Sequence, residues 1–217
     1  MPKLVVLDVD GTLTKVRSSW QYVHERLGIW TGQAEKYQEM FRRGEISYRE
    51  FCELDARLWR GIPLKDVLRI IDEIEYREGI EEFFSFLKDD GRKFALVSTG
   101  LSFLVEKIRE EFDLEFAFSN RLVHDGSVLT GEVEVCVDWH EKPQIVRRLK
   151  SDLGIKREEV VVLGDSDGDL EMFDAAGLRI AVEPTSRELE RKADFVLEDG
   201  NLIKGVEIIR ERFGNRV

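Results

Sequence analysis

Cysteine is nearly absent: only Cys52 and Cys136 occur, far apart and with no CxxC pairing. That leaves no basis for a disulfide framework, and two reduced thiols are expected. Histidine is as sparse, and His24, His124 and His140 lack metal-ligand spacing. No apolar run approaches the roughly 20 residues of a membrane span. Met1-Pro2-Lys3 passes straight into Leu4-Val5-Val6-Leu7 with no leader-like stretch, so a cytoplasmic location is expected. Positive charge is also short, with 33 Lys and Arg against 44 Asp and Glu and a net charge of −11. Nucleic acid is therefore excluded as the main partner, because its phosphates need a basic surface. A phosphate ligand would have to be met by local positive charge rather than by the overall field.

What is present suffices for a core. The 217 residues are 42% hydrophobic, enough for one domain carrying a sizeable insertion. Two textures alternate along the chain. From Trp20 to Ile74 the pattern is helical, with stripes at Trp20, Val23 and Leu27, at Ala34, Tyr37 and Phe41, and at Phe51, Leu54 and Leu58. Ser47 and Glu50 form a capping-box pattern, and Pro63 suits the first turn of a fourth helix. The aromatics of this segment (Trp20, Tyr22, Trp30, Tyr37, Phe41, Tyr48, Phe51 and Trp59) read as helix-packing residues rather than as the lining of a ligand pocket, with Trp20 the one that could still meet a ligand.

Elsewhere short apolar runs at Leu4–Leu7, Phe94–Val97, Val160–Leu163, Leu178–Val182 and Phe195–Leu197 predict strands covered on both faces. Helices are predicted over Ile80–Leu87, Leu101–Glu111, Pro143–Leu153 and about Leu170–Ala176. This order gives an α/β fold with a parallel sheet and right-handed crossovers. Leu114–Val137, with Asp125-Gly126 and Thr130-Gly131, predicts extended structure with a hairpin.

The chemistry is placed at strand ends. Asp8-Val9-Asp10-Gly11-Thr12-Leu13-Thr14 follows the first strand, and residues two apart in extended chain point the same way. Asp8 and Asp10 thus share a side at the edge where parallel sheets bind ligands. Two adjacent carboxylates need a cation or a proton between them. Gly164-Asp165-Ser166-Asp167-Gly168-Asp169 follows another buried strand and completes a hard-oxygen site suited to Mg²⁺. Ser98-Thr99-Gly100, before an amphipathic helix, offers hydroxyls and free N–H groups to an anion. Lys142 precedes Pro143 at a helix start, where the macrodipole slightly disfavours a cation; a nearby anion would reverse that cost, and a surface lysine is the plainer alternative.

These pieces, in this order, resemble the haloacid dehalogenase superfamily over nearly the whole chain, most of all its phosphoserine-phosphatase-like branch. The resemblance implies a Rossmann-like three-layer core over residues 1–14 and 78–217, with a helical cap inserted at 15–77. It also implies a Mg²⁺-dependent phosphatase acting on a small phosphorylated metabolite. Asp8 would be the nucleophile and a metal ligand. Asp10 would be the general acid and base, lending the metal its backbone carbonyl. Ser98, with backbone around Thr99 and Gly100, would bind the phosphoryl oxygens, and Lys142 would neutralise them. Asp165 would bind the metal, with Asp169 a further ligand or the partner that orients Lys142.

The phosphoserine enzymes of that branch hold the substrate amine with a glutamate after the first motif and its carboxylate with a cap arginine. Here the first stretch reads Lys15-Val16-Arg17-Ser18-Ser19, and Glu53 and Asp55 lie near the second. Gly168 stands where those enzymes carry an asparagine. These departures argue against phosphoserine as the substrate. A phosphotransferase or mutase would share the first half-reaction and differ in the acceptor. A phospho-aspartate signalling domain would need no inserted lid.

Overall fold

The computed structural model describes residues 2–89 and 91–214. Strand β1 (Leu4–Leu7) is followed by four helices, α1 (Ser19–Arg26), α2 (Gly32–Arg42), α3 (Tyr48–Arg57) and α4 (Leu64–Asp72). The rest alternates α5 (Ile80–Asp89), β2 (Lys93–Leu101), α6 (Ser102–Glu111), β3 (Phe116–His124), β4 (Leu129–Glu134) and α7 (Lys142–Asp152). It closes with β5 (Val160–Gly164), α8 (Leu170–Phe173), β6 (Leu178–Val182), α9 (Arg187–Lys192), β7 (Phe195–Leu197) and α10 (Leu202–Phe213). The seven strands lie in the order β4-β3-β2-β1-β5-β6-β7. Every neighbouring pair is parallel except the β3–β4 hairpin.

Side-chain alternation along the strands builds the layers. Val5, Leu7, Leu96, Val161, Leu163 and Ile180 enter one core, together with Phe83 and Phe84 of α5, Leu104 of α6 and Ile209 of α10. Leu4, Val6, Ala95, Val97, Val160 and Val162 enter the other, against Val146 of α7, Phe173 of α8 and Leu189 of α9. A strand with a core on each face has no room for polar residues, which is why β1 and β5 read as unbroken apolar runs.

The inserted helices leave and return through one pair of segments. Lys15 N donates to Glu75 O (3.1 Å) and Arg77 N to Leu13 O (2.9 Å). The predicted capping box forms, with Glu50 N donating to Ser47 Oγ (3.2 Å) and Ser47 N to Glu50 Oε2 (2.8 Å). At their far end these helices are tied to the hairpin: Gly61 N donates to Leu129 O (2.8 Å), and Leu129 N to Ile62 O (2.9 Å).

Two details depart from the sequence reading. Helices α9 and α10 have no counterpart in the sequence reading, and the strand predicted over Phe94–Val97 runs on through Leu101, right up to the predicted helix, which begins at Ser102. The backbone stays extended through Leu101 because long-range partners hold it there: Leu101 N donates to Ser19 Oγ (3.1 Å).

Candidate active site

β1 lies between β2 and β5, with Leu7 in register with Leu96 and Leu163. The next residue of each strand path therefore opens on the same edge. Asp8 N still donates to Leu163 O (3.1 Å), so the sheet fixes its backbone. Asp8 is 4% exposed. Thr12 Oγ1 donates to Asp8 Oδ2 (3.1 Å), while Lys142 Nζ lies 2.6 Å from Oδ1. The same ammonium lies 2.8 Å from Asp169 Oδ1. Lys142 begins α7 and is brought here from 134 residues away.

Asp169 has both oxygens engaged. Its Oδ2 accepts from Asp165 N (3.0 Å) and Ser166 N (3.2 Å), while Oδ1 takes Lys142. This favours the lysine-orienting role among the two expected for it. Asp165 follows β5, is 3% exposed, and accepts from Arg17 Nη1 (2.7 Å). One carboxylate oxygen from each of Asp8, Asp165 and Asp169 lies within 4.8 Å of the others. A trio of buried hard oxygens at that spacing fits a divalent cation.

Asp10 turns away from the trio. Its Oδ2 accepts from Ser19 N (2.8 Å) and Ser19 Oγ (2.7 Å), and Oδ1 is buried with no partner. The carboxylate is thus not grouped with the other three, and any metal contact would fall to the Asp10 backbone. Gly100 makes this packing possible, since a Cβ there would lie 2.5 Å from Asp10 Oδ2. Gly11 has φ +81°, and a Cβ on it would lie 2.2 Å from Asp165 Oδ2. The motif turn therefore demands glycine twice over.

Burial governs the protonation of the site. It pushes Asp8 and Asp10 above the ordinary carboxylate range, with Lys142 opposing the rise at Asp8 and the Ser19 hydrogen bonds opposing it at Asp10. Burial and then the Asp169 charge push Asp165 up to about 7. Burial alone would lower the Lys142 ammonium, but Asp169 and Asp8 outweigh it and hold it above its ordinary value.

Ser98 does not present a helix N-terminus. It is 1% exposed, and its hydroxyl accepts from Gly100 N (2.9 Å), so one of the expected free N–H groups is already bonded. Thr99 and Gly100 line the cavity above Asp8 and Asp10. The Thr99 carbonyl receives Trp20 Nε1 (3.2 Å), Tyr48 Oη (2.8 Å) and Asn120 Nδ2 (3.1 Å). Inserted helices and sheet thus meet on one peptide. Asn120 Oδ1 also accepts from Cys136 N and Val137 N, both at 2.9 Å.

The cavity has a volume of about 840 Å³. Trp20, Trp30, Phe41, Tyr48 and Phe51 of the insertion line it, facing Trp139. Phe41 stacks on Phe51 (5.4 Å between centroids) and meets Trp139 edge-on at 5.8 Å. Trp59 is fully buried, as the helix-packing expectation has it; Trp20 and Tyr48 are buried too, Trp20 edge-on against Trp59, yet both reach the cavity, which Trp30, Phe41 and Phe51 also line.

Sequence reasoning missed Thr12, Arg17, Ser19 and Asn120. Thr12 lay inside a quoted motif, and Ser19 follows the Ser18 that caps α1. Arg17 carried no local mark, because its partners Asp165 and Glu183 are 148 and 166 residues away.

The haloacid dehalogenase-like hydrolase profile matches residues 2–177. A phosphoserine phosphatase of Methanocaldococcus jannaschii is 31% identical over 211 residues, covering 96% of this chain and 98% of that protein. One from Archaeoglobus fulgidus is 33% identical over 209 residues, and this chain spans only 60% of its length. A solved structure described as a phospho-aspartyl intermediate analogue of phosphoserine phosphatase superposes with a TM-score of 0.81 at 31% identity, covering 95% of this chain and 98% of that one. The buried lysine bridging Asp8 and Asp169 and the match over most of the sequence agree, and the chain belongs to the haloacid dehalogenase-like hydrolases and is a phosphatase among them.

Proposed function

We propose that this protein is a Mg²⁺-dependent phosphomonoesterase that passes the phosphoryl group of a small metabolite through Asp8. The observation that carries the reading is Lys142 Nζ held between Asp8 and Asp169 within a buried trio of carboxylates. A carboxylate needs no base to attack phosphorus; its obstacle is repulsion from a dianionic ester. Lys142 answers that repulsion from the protein side. Asp8, Asp165 and the Asp10 carbonyl would hold Mg²⁺, which would supply the remaining countercharge.

Asp8 oxygen forms the new bond to phosphorus as the ester P–O bond breaks. The departing alkoxide takes its proton from Asp10, whose unpartnered Oδ1 and raised affinity for a proton suit a general acid. Asp10, now ionised, takes a proton from water. The water oxygen attacks the same phosphorus, releasing inorganic phosphate and restoring the Asp8 carboxylate. Thr12 and Ser19 hold the two carboxylates in place throughout. The helices between residues 15 and 77 act as a cap that excludes bulk water and selects the leaving group.

Asp8→Asn is expected to lower kcat by more than about 10⁴-fold on any phosphate ester, with the far-ultraviolet circular dichroism unchanged. Near wild-type release of inorganic phosphate by that variant would end the proposal. Phosphoserine, named for the relatives, is the first ester to assay, within a panel of phosphorylated metabolites with and without Mg²⁺.

A further inference from the structure

One buried acid in the cavity has no part in the phosphoryl chemistry. Asp55 of α3 lines the cavity and is 1% exposed. Its Oδ2 meets His24 Nε2 at 3.0 Å, while Oδ1 has no partner. His24 is fully buried; Trp59 Nε1 contacts the same ring nitrogen, which can hydrogen-bond only one of its two neighbours, and His24 Nδ1 has no partner. It packs edge-on against Trp30 at 5.5 Å and Trp59 at 4.6 Å. Asp55 is therefore a positioned carboxylate in aromatic surroundings with one oxygen unsatisfied. Such a group costs free energy in a closed core. Beside a cavity, a ligand completes it.

The protein's own cations at this cavity are engaged elsewhere. Lys142 bridges Asp8 and Asp169, and Arg17 bridges Asp165 and Glu183. Arg42 lines the cavity but is exposed at the end of α2. Trp20 and Trp30 line the same space, and indole rings attract cations more strongly than other side-chain rings. Building on the phosphatase reading above, we propose that Asp55 binds a protonated amine on the leaving group, so that the substrate class is a phosphorylated amino alcohol. His24 and Trp59 are positioning residues for that carboxylate. A hydroxyl would fill the hydrogen bond but not the charge. A carboxylate end would be repelled by Asp55.

The test is a series of ω-aminoalkyl phosphates of increasing length. Each is compared with the methyl-, hydroxyl- and carboxylate-terminated esters of the same length, with Mg²⁺ present, by phosphate release. At one length or more, kcat/KM for the amine ester is expected to exceed the other three by about 10-fold. In Asp55→Asn that preference should fall towards parity, carried by KM more than kcat, and a thermal melt reports whether the variant folds. The wild-type series decides the matter even if it does not. If a neutral or acidic terminus matches the amine at every length, the amine assignment is overturned while the phosphatase reading stands. If no ester is hydrolysed, both fall together.

Discussion

The strand-end floor of the site and the helical roof above it are built on opposite principles. On the floor, Lys142, Asp169, Asp165, Thr12 and Ser19 hold one another and the reactive carboxylates in fixed hydrogen bonds, with Asp10 Oδ1 left over. On the roof, aromatic rings from α1, α2 and α3 enclose an open volume, and Asp55 Oδ1 is the acceptor left over. Reaction chemistry needs preorganised charge at one point. Selection of a leaving group needs shape, apolar surface and few directed polar contacts. The two leftover oxygens mark where each half awaits its part of the substrate.

On this division, floor substitutions act on kcat and roof substitutions on KM. The largest effect after Asp8 belongs to Asp10→Asn, expected to lower kcat for alkyl phosphates by about 10²–10⁴-fold. The loss should be much smaller for p-nitrophenyl phosphate, whose leaving group departs without a proton. Equal losses on both esters would move the acid role away from Asp10.

Asn120→Ala tests the seam between the halves. It removes the amide that gathers Thr99 O, Val137 O and the Cys136 and Val137 N–H groups. A loss of about 3 kcal/mol is expected from the buried groups left unpaired, read as a drop of roughly 10 °C in Tm.

The floor should also respond to metal and pH in a way the roof does not. Burial and the Asp169 charge push Asp165 up to about 7 in the folded protein, above the ordinary value of 3.8. The folded state therefore binds more protons than the unfolded chain between those values. Metal-free stability should fall as pH rises from about 4 to about 7. Mg²⁺ pairs with the ionised form, so its Tm increase should be larger at pH 8 than at pH 5, by a few degrees in a thermal melt. An increase independent of pH would show that the ion binds away from these acids.

The smallest change is expected from Phe41→Ala, which removes the ring stacked on Phe51 and facing Trp139. KM for an aryl phosphate should rise about 3- to 10-fold through lost apolar contact, with kcat nearly unchanged. A fall in kcat alone would place Phe41 in closure of the cap rather than in its lining.

Much of the floor was legible from spacing. β1 and β5 end on acids because a strand buried on both faces can change polarity only where the sheet stops, as at Leu7-Asp8 and Gly164-Asp165. Lys142 was visible as a cation at the wrong end of a helix. Periodicity drew the inserted helices well but did not separate the aromatics that only pack from those that also line the cavity: a stripe at helical spacing names a face, not what that face meets. Trp59 and Phe41 read alike, yet one is sealed in the core and the other borders the cavity. Helix α10 carried an apolar stripe at Leu202, Val206 and Ile209 and an Asn201 cap that could have revealed it.

The sequence by itself determined the parallel sheet, the helices inserted after β1 and the acids at the ends of β1 and β5, because each follows from local pattern: alternation, period and abrupt change of polarity. Only the tertiary structure decided that Arg17 reaches Asp165, that Asn120 joins sheet to cap at Thr99, and that Asp55 keeps an oxygen free beside a cavity. Those facts depend on the close approach of segments far apart in the chain, and no local spacing encodes the distance between them.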